Sequence, residues 1–479
     1  MKADPLSRQA RLSLLGLCAL ALSGCVTVGP DYEPPVTVLP ERFDQAMEVG
    51  GNGQAIGVDT DPWQQFESPE LDRLIARALE ANTSIEQALA RFEETLALSG
   101  LSIFSLFPTV DIAADAERAE FSEQDPFAPP DQTLGIVETW RAGFDMNWEI
   151  DLFGSLKSQS MAIAQRAEAD AAAYKDIQIT IVAETARAWF ALLGARQQVN
   201  LQQQQLDVLQ QSESILKLLQ EKGRGTALDV ARARTQTETL RAELALARAD
   251  VVRNEQRLAV LTAWPVATLR EALDPIASLP SLPALEAEGN PADWLRRRPD
   301  IRSAERRLAA ATSDIGVETA EFFPKVELLG SFGWTAESAS GIGSSAAQRW
   351  GIGPSIRWRI FDFGRIRQRV RAADAAAAQA LALYDETVLI ALEETENALA
   401  GFRAQTEHQA ALSDASSAAN RALELADLRF KNGADSFLDV LDAQRTALEL
   451  EREVVRAKTD QATALARLYK ALAGGLGTG

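Results

Sequence analysis

The sequence predicts a mainly α-helical fold with a β-barrel portion, arranged as two tandem repeats that each join a β-strand pair to two long coiled-coil helices. Three observations lead there. Proline, which breaks helix interiors, is absent from Asp131 to Trp264 and again from Ser355 to Gly479. The two proline-free runs match one another at a constant offset of 210 residues. Ahead of each pair of long helices, about ten residues alternate between apolar and polar side chains, the period of a strand.

From the N-terminus, Lys2, Arg8 and Arg11 form a basic flank, and Leu12 to Leu22 an apolar core too short to span a bilayer as a helix. Leu22-Ser23-Gly24-Cys25 follows, with small residues where a peptidase needs a narrow, extended chain. Residues 1–24 therefore read as a signal peptide, and Cys25 as the lipidated first residue of the mature chain. Val26 stands where an aspartate would mark retention at the inner membrane, which favours the outer membrane. Each buried methylene of the acyl chains contributes about 0.8 kcal/mol of anchoring. No later stretch holds 18 consecutive apolar residues, so no transmembrane helix is expected. The chain either hangs from its lipid or crosses the membrane as strands.

The proline-free runs are rich in Ala, Leu, Gln, Glu and Arg, the strong helix formers. Tyr174, Ile177, Ile181, Ala188 and Leu192 recur at three- and four-residue steps, the spacing of a helix seam. Glycine interrupts the first run at Gly223 and Gly225, and the second at Gly433. Each run thus predicts two antiparallel helices: about 155–221 with 227–262, and about 365–431 with 436–472. At about 1.5 Å per residue the longer helices approach 100 Å, a length that suits a coiled-coil tube. At the offset of 210, Trp140 meets Trp350, Gly143 meets Gly353, Trp148 meets Trp358 and Gly223 meets Gly433. Upstream the offset is 216, where Phe107-Pro108 meets Phe323-Pro324.

Residues 138–151 hold Ala142, Phe144, Met146, Trp148 and Ile150 in alternation with polar or small partners. Residues 349–361 repeat the pattern with Trp350, Ile352, Ile356, Trp358 and Ile360. An earlier strand, at about 109–118 or 325–335, completes each pair. Ten-residue alternation ending on aromatics fits a membrane barrel strand. A half-buried soluble sheet gives the same alternation; Cys25 tips the reading to the barrel. Four strands cannot close such a barrel, and open edges are not tolerated in lipid. The chain must pool strands with copies of itself, two copies giving eight strands and three giving twelve. Asp145, Asn147 and Glu149 on one strand, and Arg357 and Arg359 on another, would then line the lumen, either as structural ladders or as selectivity groups.

The 479 residues divide into the signal peptide, an N-terminal segment 25–65, repeat 1 (66–264), a proline-containing linker (265–293), repeat 2 (294–472) and a flexible C-terminus (473–479). The formal charge of -20 argues against nucleic acid as a partner. Cys18 and Cys25 are the only cysteines and His408 the only histidine, which exclude a disulfide scaffold and argue against an imidazole metal centre or a Ser-His-Asp triad. No catalytic set and no cofactor beyond the lipid on Cys25 are expected. Phe361-Asp362-Phe363-Gly364 looks like a kinase metal-binding motif, but no His-Arg-Asp loop accompanies it and the repeat explains it.

Several motifs in order carry a resemblance over nearly the whole mature chain: Val28-Gly29-Pro30-Asp31-Tyr32 behind Cys25, Trp63, Leu71 to Asn82, Arg297-Arg298-Pro299-Asp300-Ile301, Ala304-Glu305, Phe323-Pro324, residues 361–364, Gly433 and Leu438 to Arg445. The chain resembles the TolC-like outer membrane factors, in the lipoprotein branch that serves resistance-nodulation-division efflux pumps. The resemblance implies a homotrimer with a twelve-stranded barrel in outer-membrane lipid, a twelve-helix periplasmic tube, and an equatorial belt from the termini and linker. It implies a passive exit duct for drugs or other small toxic compounds, working with a periplasmic adaptor and an inner-membrane pump. The helix turns would be the periplasmic tips, with Leu438, Asp439 and Asp442 at the aperture. Arg445, one turn from Asp442, would latch the closed state by an ion pair; alternatively Asp439 and Asp442 only cap and solvate a helix start. Lys222, Gly223, Arg224, Lys431 and Gly433 would meet the adaptor, or serve as solvated caps. Two other readings remain: a type I secretion or heavy-metal duct of the same fold, and a structural coiled-coil envelope lipoprotein, which would need neither strands nor a strand-pair repeat.

Overall fold

The computed structural model describes residues 27–36, 40, 42–44, 54–55, 62–120, 136–273, 278–283, 285–286, 294–434 and 436–472. The signal peptide, Cys25, the C-terminal 473–479 and parts of segments 25–65 and 265–293 lie outside them. Contacts divide the chain into two compact units. One comprises 1–36, 92–170 and 304–384; the other comprises 37–91, 171–303 and 385–479.

The element order repeats itself. In the first half come α1 (Pro69–Ala81), α2 (Thr83–Phe104), β2 (Thr109–Glu120), β3 (Ile136–Ile150), α3 (Ser155–Glu221) and α4 (Ala227–Thr262). Then follow a short α5 (Val266–Ala272), α6 (Pro299–Ala320), β5 (Lys325–Ala336), β6 (Gln348–Arg357), α7 (Arg365–Lys431) and α8 (Phe437–Ala471). Two-residue strands β1 (Gln54–Ala55) and β4 (Leu285–Glu286) pair in parallel. Helices α3 and α7 are both 67 residues long and α2 and α6 both 22, with starts separated by the two offsets seen in the sequence. Helix α7 contains an 18-residue stretch of mean hydropathy 1.3, of which 17% is buried. Alanine supplies much of that hydropathy, and its small side chain suits close helix packing as well as lipid.

In the first unit, four antiparallel strands form one sheet in the order β2-β3-β5-β6. The register sets even-numbered residues opposite even-numbered ones throughout: Ile112 faces Phe144, Phe144 faces Phe332, and Phe332 faces Trp350. Since successive side chains alternate sides, one face is apolar across the middle of all four strands, and its far end carries Arg118 ion-paired to Glu138 at 3.5 Å and Gln348. The other carries Asp111 beside Asp145, Arg141 ion-paired to Asp115 at 3.2 Å, and Arg357 ion-paired to Glu327 at 3.5 Å. Leu329 is an apolar exception there. The apolar face is uncovered; Trp350 alone is 74% exposed.

Two tryptophans fasten the sheet to the preceding helices. The Trp148 indole N–H donates to the Leu106 carbonyl at 2.9 Å, and the Trp358 indole to the Phe322 carbonyl at 3.0 Å. Each acceptor stands one residue before a Phe-Pro pair. The second copy departs from expectation here: β6 ends at Arg357 rather than near 361. Its partner β5 starts at Lys325, paired with Arg357, because Pro324 before it has no N–H to donate. Trp358 makes its bond through the side chain instead. Gly154 and Gly364 then turn the chain into α3 and α7 with φ of 77° and 84°, conformations that a Cβ disfavours.

The N-terminal segment packs in this unit. Val28 N–H donates to the Phe153 carbonyl at 3.1 Å, and the Tyr32 hydroxyl to Glu305 at 2.8 Å. Helices α3 and α6 are cross-linked by Arg306 to Glu168 at 3.3 Å and Arg166 to Asp314.

The second unit holds the main core. A 3-10 turn, Pro62–Phe66, inserts Trp63 (1% exposed) edge-on against Tyr469 at 5.3 Å, and Phe66 against Phe190 at 5.1 Å. The seam residues Ile181, Ala188 and Leu192 are buried in this cluster, with Tyr174 and Ile177 packed at its margin. Helix α5, within the linker, buries Leu269 against it.

Arg298, 7% exposed, is the hub of a polar network. It donates to Asp300, to Glu394 at 2.7 Å and to the Ala471 carbonyl at 3.1 Å, which clamps the end of α8. Burial pushes the neighbouring Asp176 carboxyl up, Asp300 adds to the rise, and Lys470 and Arg298 oppose it. A raised folded pKa means stability that is full below the unfolded pKa and lost as pH rises through the folded value. Asp176→Asn should therefore raise the melting temperature at neutral pH and flatten its decline from acid to neutral pH. Arg298→Met should lower it, with a loss of about 1.5–3 kcal/mol. Circular dichroism melts of both variants check the two signs.

Candidate functional site

The candidate site is the pair of helix tips in the second unit. Both tips are built alike. After α3, the Arg224 N–H donates to the Leu219 carbonyl at 2.8 Å and the Gly223 N–H to the Gln220 carbonyl at 2.9 Å. After α7, Ala434 and Gly433 do the same to Arg429 and Phe430, at 2.9 Å each. These are Schellman ends, which need a left-handed residue; Gly223 (φ 69°) and Gly433 (φ 72°) supply it. The next helices start on capping boxes. The Thr226 N–H and hydroxyl donate to Asp229 at 3.1 and 2.6 Å, and the Ser436 N–H and hydroxyl to Asp439 at 3.1 and 2.7 Å.

The expected site residues are thus sorted by their contacts. Asp439 caps α8, as Asp229 caps α4. Asp442 pairs with Arg445 at 3.0 Å, with side chains 69% and 64% exposed. Both belong to α8, one helical turn apart, as the sequence spacing predicts. Leu438 is exposed, as is its counterpart Leu228. Lys431 pairs with Asp427 at 2.6 Å. Lys222 and Arg224 lie exposed beside Gly223.

Asp442 and its repeat counterpart Arg232 line one open groove of about 530 Å³ between the hairpins. Leu209, Leu240, Leu438 and Leu441 supply its apolar lining. Further along, Gln205 donates to the Leu448 carbonyl at 3.1 Å, and Arg452 pairs with Glu243. Beyond these, Glu255 is shared by Arg196 at 3.2 Å and Arg270 at 2.6 Å. Burial would raise its pKa, but bonds from Arg270 and Arg196 outweigh it and hold the carboxyl below the usual range.

One feature of the second tip had not been singled out by sequence. Phe430 and Phe437 meet edge to face across the turn, 5.1 Å apart. Phe437 packs against Leu216, Ala233 and Leu441, which joins the two hairpins near their ends. The first tip has Gln220 and Ala227 at the matching positions. The signal was two phenylalanines flanking Gly433.

The sequence matches the outer membrane efflux protein family over residues 74–263 and 290–474. It is 31% identical to outer membrane protein OprJ of Pseudomonas aeruginosa, covering 96% of this chain and 95% of that one. It is 29% identical to the toluene efflux pump outer membrane protein TtgI of Pseudomonas putida, covering 97% and 98%. Its fold superposes on the outer-membrane channel OprN with a TM-score of 0.87 at 34% identity, covering 94% of this chain and 99% of that one.

Removing the cap with Asp439→Ala should cost about 1 kcal/mol and speed amide exchange in the first turn of α8. A double-mutant cycle on Phe430→Ala and Phe437→Ala should return a coupling of about 0.5–1.5 kcal/mol. Exchange at 428–438 should rise in the double variant while 220–229 stays as in wild type.

Proposed function

The chain belongs to the outer membrane efflux protein family, and from that premise we propose that it is the outer-membrane exit duct of a tripartite resistance-nodulation-division pump. It would pass drugs or other small toxic compounds passively from periplasm to exterior. The observation that carries the reading is the two-faced, open-edged sheet. Its apolar face runs unbroken through Ile112, Phe144, Phe332 and Trp350, and then stops at unpaired edges on β2 and β6. Ten residue steps from Trp140 to Ile150, tilted by about 40°, span about 25 Å, which is the height of the apolar band of outer-membrane barrels. Three copies would join β6 of one chain to β2 of the next in a twelve-stranded barrel, with the long helices forming the periplasmic tube.

Lipidation of Cys25 would anchor each chain. Thr27, two residues later, packs at Gly154, and Val28 bonds Phe153 where β3 gives way to α3. This would hold the acyl chains beside the end of the lipid-facing strands. At the helix tips, Leu438 and Asp442 would form the aperture. Asp439 would shape the helix start and Arg445 would temper the charge of Asp442. The turns with Lys222, Gly223, Arg224, Lys431 and Gly433 would receive the adaptor, which couples the duct to the pump.

Planar-bilayer recording of purified protein is the test. Wild type should open cation-preferring channels, and Asp442→Ala should reduce that preference without abolishing conductance. Absence of channels would contradict the duct; an unchanged preference would remove Asp442 from the aperture.

A further inference from the structure

The two repeats differ sharply where strand turns into helix. From Asn147 to Met161 the first copy carries one lysine against two acids, Glu149 and Asp151. The matching stretch, Arg357 to Arg371, carries six arginines and one acid, Asp362. The chain as a whole is strongly acidic, at -20, so this concentration runs against its composition.

Four of the arginines, Arg365, Arg367, Arg369 and Arg371, occupy the first two turns of α7. Local physics opposes them there. A helix N-terminus carries partial positive charge and favours acids, and α7 has no acid in its first turn. Arg365 with Arg369, and Arg367 with Arg371, are like-charged neighbours one turn apart. Among the described residues, none of the four has an ion-pair partner, and all are exposed. Asp362 is already committed to the backbone, accepting from the Gly364 N–H at 2.8 Å and the Ile366 N–H at 2.7 Å. The Ile366 and Gly364 bonds hold the Asp362 carboxyl low, and Arg359 and Arg365 add to this, but one acid does not balance this many arginines. Charges that weaken their own helix and find no ion-pair partner among the described residues call for a partner outside the chain.

Position and chemistry name that partner. The arginines directly follow β6, the end of the apolar sheet face. Between strand and helix stand Trp358, Ile360, Phe361 and Phe363, with Ile360 80% and Phe363 85% exposed. Exposed aromatics next to arginines are what a membrane–water interface holds: rings among the upper acyl chains, guanidinium groups among the phosphates. The buried seam of α7 begins at Ile366. Arg365 and Arg369 flank it on one side and Arg367 and Arg371 on the other, so one pair faces the bilayer whichever flank is turned outward. Six steps of about 1.5 Å carry Arg371 about 9 Å from Arg365, the depth of a headgroup layer.

We propose that Arg365, Arg367, Arg369 and Arg371, with Trp358 and Ile360, form a binding site for anionic phospholipid headgroups of the leaflet that meets the start of α7. The site rests on the sheet face lying in the bilayer, and conductance reports that separately. The first copy, with Lys157 alone, has no such site. The two halves of the chain thus hold the membrane boundary differently: the lipid-bearing N-terminal segment packs at the β3–α3 turn, and bound lipid sits at the β6–α7 turn.

The test reconstitutes the full chain in nanodiscs of phosphatidylcholine with a minor share of phosphatidylglycerol. Mild detergent then extracts it, and native mass spectrometry counts the retained lipids. Wild type should enrich phosphatidylglycerol over phosphatidylcholine by about fivefold per arginine–phosphate contact, and the enrichment should fall as salt rises. The variant R365Q/R367Q/R369Q/R371Q should lose it while still conducting. The variant R365K/R367K/R369K/R371K and K157Q should keep it. Equal retention of both lipids by wild type, enrichment persisting in the glutamine variant, or displacement by millimolar inorganic phosphate would overturn the site. Were the glutamine variant not to assemble, salt-insensitive enrichment in wild type would overturn it equally.

Discussion

Hydrocarbon offers no hydrogen bonds, so a sheet set in it must leave no edge unpaired. That constraint organises this molecule. Its four strands expose one largely apolar face, and among the described residues they end on two open edges, β2 and β6. In water the face would aggregate; in lipid the edges would be unsatisfied. Both difficulties vanish when identical chains close on one another. Four strands in strict antiparallel order allow the proposed closure, because β6 of one copy would run opposite to β2 of the next.

The repeat follows from the same demand. A strand pair that belongs in the membrane needs a fixed exit into the periplasm, and the chain builds that exit twice. In each copy a Phe-Pro pair starts one strand and a tryptophan side chain fastens the other to the preceding helix. A left-handed glycine then releases the long helix. The copies diverge at two places, the start of the second long helix and the second tip. The α7 start is arginine-rich where the α3 start is not. The second tip carries the Phe430–Phe437 contact where the first has Gln220 and Ala227. The shared residues set the scaffold, and the proposed partner contacts lie at the departures from it.

Much of this was legible in the sequence because it is written in backbone restrictions. A proline gap marks where a helix can run, and Gly223 and Gly433 mark where it must stop; α3 and α7 end two residues before those glycines. Alternation of Ala142, Phe144 and Met146 gave the face of β3 because strand parity leaves no freedom. The ties to backbone carbonyls were not legible, since the acceptors at Leu106, Phe322 and Ala471 leave no side-chain trace. The end of β6 was misplaced because the pattern of Trp358 and Ile360 continues past the point where β5 can pair. At the tips, an acid at a helix start was one of two readings of Asp439, and the structure has it in a capping box with Ser436. The three-residue step from Asp442 to Arg445 signalled a pair, and the structure forms it along α8.

The account stands on chains pooling their strands, and the mass of the assembled protein tests that most directly. Native mass spectrometry of the detergent-solubilised wild type, before and after heating, reports the number of chains. The account predicts a single species of three chains that resists mild dissociation and falls to one chain on boiling. A folded protein that stays a single chain throughout would contradict it, because the edges of β2 and β6 would then have no partner in the membrane.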